Sequence, residues 1–296
     1  METLRQILIA MRPRQWTKNL LVFAGLIFAQ RATDWRAVAE ALEAFIIFCA
    51  LAGAVYLVND CLDVDRDRLD PVKRNRPGAA GRVSVKAALV AAGVLVVAGL
   101  VAAWLVTPGL LGICLAYVGI SMAYSSYLKH IVIVDVFCVA SGFVLRAVAG
   151  AVAVRAEVSP WLIICTLLLS LFLALCKRRS ELVELGPDAV NHRASLAEYS
   201  PHLLDQMIAV MTASTLMSYC LYTIADRTIA VVGSARLLYT IPFVIYGIFR
   251  YLYLVHMKNG GGHPDRALLS DRPLQANMLL YLLAVALVLY TGHNGG

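Results

Sequence analysis

The sequence predicts an all-α polytopic membrane protein. Three observations carry that prediction. Hydrophobic residues make up 60% of the 296-residue chain and charged residues only 15%, against roughly 25% charged in soluble domains. Mean hydropathy over the whole chain is +0.73, so the apolar character is not confined to one anchor. Apolar runs also recur between short polar loops, each near the ~20 residues that a helix needs to cross about 30 Å of hydrocarbon.

About nine such runs can be traced, near 17–31, 38–58, 85–106, 109–127, 131–153, 159–176, 203–225, 236–256 and 274–291. The first is short, as suits a tilted or partly interfacial segment. Ahead of it, LRQILIAM (Leu4 to Met11) has the pattern of a short amphipathic helix lying along the interface. The charged stretch Met1 to Lys18 does not read as a cleavable signal peptide. Spans and short loops use up the length, so 1–296 is expected to be one integral-membrane domain.

The loops set the orientation. With nine spans, the side of the N-terminus collects 19 of the 26 Lys and Arg residues, from Arg5 to Arg272. The opposite side holds Arg31, Arg36, Arg155, Arg227 and Arg236, and Arg146 and Arg250 fall inside spans. The positive-inside rule then puts the N-terminus in the cytoplasm and the C-terminus outside a cell (inner or plasma) membrane. The net charge of +7 therefore argues for topology and phosphate chemistry, with no nucleic-acid partner. Seven cysteines without a CxxC pair read as small residues in or beside apolar runs. The six histidines show no metal-ligand spacing.

Between the second and third spans lies YLVNDCLDVDRDRLDPVKRNRPGAAG (Tyr56 to Gly81). On a helix, Asn59, Asp63 and Asp67 at i, i+4, i+8 share one face with Asp60. Such a row repels itself unless a cation neutralises it, and Mg²⁺ prefers oxygen ligands and bridges to phosphate. Asp65 and Asp70 point elsewhere and are expected to be solvated. Lys73, Arg74 and Arg76 follow, as donors suited to phosphate. Acids that hold a metal, then cations that hold phosphate, are the chemistry of a diphosphate site. A membrane-edge row of aspartates is costly without a ligand, whereas cations alone are explained by lipid headgroups and topology.

Further polar residues break the apolar pattern. YSSYLKH supplies Tyr124 and Lys129, with Asp135 shortly after, and LCKRRSELVEL supplies Lys177, Arg178, Arg179 and Glu181. These read either as pocket residues or as interfacial anchors. Arg146, inside SGFVLRAVAG, requires a partner in the bundle interior, and Asp135 on the same helical face is one candidate. HRASLAEYSP adds Arg193 and Tyr199.

The pattern NDxxDxxxD at Asn59, Asp60, Asp63 and Asp67 resembles the first aspartate-rich motif of the UbiA superfamily of intramembrane prenyltransferases. The resemblance implies a single UbiA-like helical bundle whose polar pocket faces the cytoplasm and opens sideways to lipid. It implies Mg²⁺ as cofactor, with Asp60, Asp63 and Asp67 catalytic and Asn59 beside them as a metal ligand. Ordinary members carry a second acidic motif after the sixth span, where this chain has KRRSELVEL. That departure, with RPRQWTKNLLVFAGLIFA, PVKRNRPGAAG, SGFVLRAVAG and DRPLQ, resembles a narrower branch, the decaprenyl-phosphate 5-phosphoribosyltransferases, along nearly the whole chain. Asp135 stands where that branch is expected to carry Glu.

Membership of that branch implies transfer of 5-phosphoribosyl from phosphoribosyl pyrophosphate to a polyprenyl phosphate in the bilayer, for cell-wall arabinan precursors. It also implies substrate contacts at Lys18, Asn19, Lys73, Arg74, Arg76, Tyr124, Lys129, Asp135, Arg146, Lys177, Arg178, Glu181 and Arg193. The alternative is an ordinary UbiA-type prenyltransferase joining an isoprenyl diphosphate to an aromatic or other small acceptor. A transporter fits less well, because its sites lie near the midplane, and a purely structural protein has no need of the aspartate row. A homo-oligomer is compatible with the sequence, which leaves lipid length and metal number open.

Overall fold

The computed structural model of the chain describes residues 2–70, 73–185, 194–258, 267 and 270–291. Among them the structure is helical throughout, with no strand. The α-helices are α1 (Glu2–Ala10), α2 (Phe23–Phe28), α3 (Trp35–Leu62), α4 (Val64–Leu69), α5 (Val85–Val106) and α6 (Pro108–Ser126), then α7 (Val134–Ala153), α8 (Pro160–Leu185), α9 (Pro201–Ile224), α10 (Asp226–Val232), α11 (Ile241–Met257) and α12 (Arg272–Thr291). Eight helices among the described residues are long and apolar enough to cross a membrane: α3, α5 to α9, α12, and α11 together with the turn before it.

Local chemistry starts these helices where polar residues punctuate the apolar runs. Asp34 accepts the N–H groups of Arg36 and Ala37 ahead of α3. Ser84, Thr107 and Ser200 accept N–H groups at the starts of α5, α6 and α9. Pro108 and Pro201 sit at the first helical position, where a missing N–H costs nothing.

The run at 17–31 differs from expectation. It is a 3₁₀-helix, Pro13–Val22, followed by the six-residue α2, not a long α-helix. The 3₁₀ form is slimmer and rises faster per residue. It brings the backbone of this segment against α7: a Cβ on Gly150 would lie 1.7 Å from the Val22 carbonyl oxygen, and one on Gly25 would lie 2.3 Å from the Ala151 nitrogen. Backbone-on-backbone packing of this kind is available only where both surfaces are small.

The helices form two compact units. One comprises Met1–Lys129 and Ser141–Val158, the other His130–Ala140 and Ser159–Gly296. In the first, α5 turns Ala88, Ala92, Gly99 and Ala103 inward and leaves Val90, Val94, Val97 and Val101 exposed. The inside is small and the outside large, because lipid solvates valine as well as a neighbouring helix does and close packing is what remains to be gained. Gly99 faces Leu51 of α3, and Phe48, Leu51 and Val22 are fully buried in the same core.

In the second unit, α8 and α9 pack around Phe172, Leu175, Leu204 and Ile208. The Phe172 ring meets Tyr251 edge-on at 5.8 Å between centroids. Arg250, the second arginine inside a span, finds its partner in Asp271: Nε donates at 3.1 Å and Nη2 at 2.8 Å. Asp271 also accepts the Leu274 N–H at 2.9 Å, capping α12, so the DRPLQ segment ties two helices together.

The hydrogen bond from Arg250 holds the Asp271 carboxyl below its ordinary pKa. Above about pH 3.9 the stabilisation is complete, and as pH falls from there through the lowered folded-state value, protonation removes it. Thermal unfolding of the wild type should therefore fall off more steeply with acid than that of Asp271→Asn. Parallel curves would show that the pair contributes nothing.

Candidate active site

The aspartate cluster forms where α3 breaks. Asp63 occupies the junction between α3 and α4, with φ −99° and ψ 8°. Its N–H still bonds to the Asn59 carbonyl at 3.0 Å, and the Asp67 N–H to the Asp63 carbonyl at 2.8 Å. The expected single helical face is therefore split in two. Asp60 and Asp67 converge on Arg76, whose Nη1 lies 3.4 Å from Asp60 Oδ1 and 2.6 Å from Asp67 Oδ2. Asp63 turns to Lys129, whose ammonium donates to both its oxygens at 2.8 and 3.1 Å. Asp60 also accepts from Arg12, whose guanidinium sits 4.8 Å above the Tyr56 ring.

Charge explains the arrangement. The Asp60 and Asp67 side chains are only 6% and 5% exposed, and a buried carboxylate is tolerable only when paired. Three carboxylates and three cations (Arg12, Arg76, Lys129) make the cluster neutral. Its donors are hard oxygens of the kind Mg²⁺ takes. Two of them already converge on a single cationic nitrogen, so the residues fit a divalent cation there. Among the described residues no three His, Cys, Asp or Glu side chains are gathered as a metal set; each of these three carboxylates is engaged by a basic side chain.

The loop that follows is internally braced. Asp70 is not solvated as expected: it accepts the Lys73 N–H at 2.9 Å, and the Lys73 ammonium lies 3.3 Å from it. The Asp70 carboxylate thus caps the 3₁₀ turn Lys73–Asn75, and backbone bonds from Arg74 to Asp70, Arg76 to Lys73, Ala80 to Arg76 and Arg82 to Pro77 continue the brace. Asp65 is exposed, beside Arg68 at 3.2 Å. Gly81 takes φ +71°, which favours a residue without a Cβ. Arg74 is exposed, and Asn59, Lys18, Tyr124 and Lys73 are half-buried.

Arg146 has a different set of partners from the one expected. Nε donates to Asn19 Oδ1 at 2.7 Å, Nη2 to the Tyr117 hydroxyl at 2.9 Å and Nη1 to the Gly142 carbonyl at 2.7 Å. Asp135 shares its helical face, but eleven residues of helix put it roughly 16 Å away along the axis. Asn19 thus anchors the 3₁₀ segment to α7 and is 1% exposed.

In the second unit, Asp135 is fully buried and accepts Arg178 Nε at 2.7 Å. Arg178, 4% exposed, also donates to Glu181 Oε2 at 2.6 Å, and Lys177 lies 3.8 Å from Glu181 Oε1. Tyr199 accepts the Ile133 N–H at 2.7 Å and donates to Asp135 Oδ1 at 3.2 Å. Ile133 has φ +68°, and this bond secures its strained backbone. Burial, then the Asp135 charge, pushes the Tyr199 hydroxyl up to about 12, so it stays a donor at physiological pH. Tyr199→Phe should cost about 1–3 kcal/mol, because the part-buried Ile133 amide and an oxygen of the buried Asp135 carboxylate each lose a partner. An unchanged unfolding temperature would refute that. Arg193 lies outside the described residues.

Sequence reasoning missed Arg12, 48 positions from Asp60, which counted only as a topology signal. It missed Tyr117, which lies in an apolar run with no local mark, and the hydroxyl role of Tyr199, although HRASLAEYSP had drawn notice.

A family model of the UbiA prenyltransferase family matches residues 20–270. The chain belongs to that family. This UbiA chain is thus a multi-pass membrane enzyme of the transferase class. It is 34% identical over 290 residues to the decaprenyl-phosphate phosphoribosyltransferase of Mycolicibacterium smegmatis, covering 95% of this chain and 91% of that one. Its likeness to the Mycobacterium tuberculosis protein of the same name is 36% over 282 residues, 93% of this chain and 91% of the other. Its fold is similar to that of a UbiA homolog from Archaeoglobus fulgidus bound to DMAPP and Mg²⁺, with TM-score 0.71 at 19% identity, covering 96% and 99% of the two chains.

Proposed function

We propose that this UbiA chain transfers the 5-phosphoribosyl group of phosphoribosyl pyrophosphate to a polyprenyl phosphate and releases pyrophosphate. The observation that carries this reading is the likeness, over 95% of the chain, to a relative named for phosphoribosyl transfer to a decaprenyl phosphate. The cluster of Asp60, Asp63, Asp67, Arg12, Arg76 and Lys129 supports it, because a metal-bound pyrophosphate needs both signs of charge in one place.

An oxygen of the lipid phosphate forms the new bond to ribose C1. The C1–oxygen bond to pyrophosphate breaks and its electron pair leaves with the pyrophosphate. The acceptor is already ionised near neutral pH, so no protein nucleophile or strong base is required. Mg²⁺, when bound, would supply charge neutralisation for the departing pyrophosphate. Asp60, Asp63 and Asp67 would hold it, with Asn59 alongside. Arg12, Arg76 and Lys129 would be the donors to phosphate oxygens. Lys18, Lys73, Arg74, Tyr124 and Lys177 are proposed as further contacts for the remaining phosphates. Arg178, set between Asp135 and Glu181, orders the helix end that carries Lys177, and Arg146 and Asn19 brace the segment that presents Arg12. The reading carries with it a cytoplasmic N-terminus and carboxylate cluster, on the side of the soluble donor, and a product that supplies arabinose donors for the cell wall.

Purified protein, Mg²⁺, polyprenyl phosphate and labelled phosphoribosyl pyrophosphate should yield label in the organic phase, dependent on the metal. No transfer, with transfer instead from a labelled isoprenyl diphosphate to an aromatic acceptor, would replace this reading by ordinary prenyl transfer.

A further inference from the structure

Arg76 occupies the point at which Asp60 and Asp67 meet. One of its nitrogens lies within 3.4 Å of the first carboxylate and 2.6 Å of the second. A cation shared by these two carboxylates has to take the place of that nitrogen. Arg12 and Lys129 repeat the pattern, each engaged with a carboxylate of the same row. Every cation suited to phosphate in this cluster is thus held by a carboxylate suited to metal.

From this geometry we infer that Arg76 is an internal counter-ion, and that its exchange makes metal and diphosphate bind together and each only weakly alone. Asp60 and Asp67 release the guanidinium when they take the metal. The freed guanidinium is then a charge-assisted donor for diphosphate oxygens. Diphosphate that captures Arg76 likewise uncovers the carboxylates. Linkage requires the two effects to be equal: whatever factor pyrophosphate adds to metal affinity, metal adds to pyrophosphate affinity. The empty cluster is neutral; metal alone would leave it with excess positive charge and diphosphate alone with excess negative charge, and only the two together return it near neutrality. The inference rests on the metal and diphosphate part of the proposed function and is independent of which group is transferred.

The test is equilibrium binding without turnover. Mn²⁺ serves as a spectroscopic probe by electron paramagnetic resonance, and inorganic pyrophosphate as the anion, on the full-length protein in nanodiscs. In the wild type, pyrophosphate should raise Mn²⁺ affinity about 10-fold or more. In Arg76→Ala, Mn²⁺ alone should bind about 10-fold tighter than in the wild type, because the competitor is gone, and the enhancement by pyrophosphate should shrink. Arg76→Lys, whose shorter side chain and more strongly hydrated ammonium compete less well for the two carboxylates than the guanidinium does, should fall between the two and serves as the read-out if the alanine variant does not fold. Metal and pyrophosphate that bind independently, or variants that bind Mn²⁺ no tighter than the wild type, would overturn the inference and leave the proposed function standing. No Mn²⁺ binding by any form, with or without pyrophosphate, would overturn both.

Discussion

Replacing Asp60 with asparagine is expected to lower metal-dependent turnover by ~10²–10³-fold while leaving the protein folded. That factor is the typical loss when one preorganised partner of developing charge is removed. Asp60 is the most connected carboxylate of the cluster, engaged by both Arg12 and Arg76. Asparagine has the same shape and still accepts a hydrogen bond, but it carries no charge with which to hold a cation. The structural cost should be modest, about 1–3 kcal/mol. Arg12 and Arg76 are 26% and 27% exposed, so both guanidinium groups can reach water, and Arg76 keeps Asp67. Turnover and unfolding temperature, measured on the same preparation, separate the two roles. Turnover within twofold of wild type would remove Asp60 from the chemistry, and a collapse of stability would make it a structural ion pair.

Gly150→Ala is expected to produce the largest loss of folded protein of any single methyl addition among the described glycines. The added Cβ would sit 1.7 Å from the Val22 carbonyl oxygen and 2.7 Å from its carbon. Those are backbone atoms of a segment held by Asn19 and Arg146, so no side-chain rotation relieves the clash. Overpacking typically costs 1–3 kcal/mol where side chains can move. About 3 kcal/mol or more is expected here, seen as loss of monodisperse protein and a lowered unfolding temperature. Gly93→Ala is the control. It is an exposed helical glycine with nothing within 4 Å of the new carbon, and alanine is the better helix former. Equal behaviour of the two variants would mean that the contact between the first segment and α7 is looser than its geometry implies.

Much of the cluster was legible in the sequence because its acids are close together in the chain. Asn59, Asp60, Asp63 and Asp67 fall within nine positions, and the helical repeat relates them before any fold is known. Their partners were not legible. Lys129 is 66 positions from Asp63, and Arg12 is 48 positions from Asp60. The pairing of Asp135 with Arg146 failed for an axial reason: a shared face says nothing about distance along the helix. Arg178, 43 positions away, supplied the charge instead. The break at Asp63 also left no mark, since the segment's hydrogen bonds keep helical spacing through it.

By itself the sequence determined a helical membrane protein, because lipid leaves every backbone polar group to be satisfied within its own segment. Composition and run length report that demand directly. It also determined which residue types could carry phosphate and metal chemistry, since charge in such a chain is scarce and conspicuous. Only the tertiary structure decided that the first run is a 3₁₀ segment pressed on Gly150 and that Asp60 and Asp67 share Arg76. It also decided that Asp135 belongs to Arg178. Those outcomes follow from packing and from the requirement that each buried charge meet its opposite, and both depend on residues far apart in the chain.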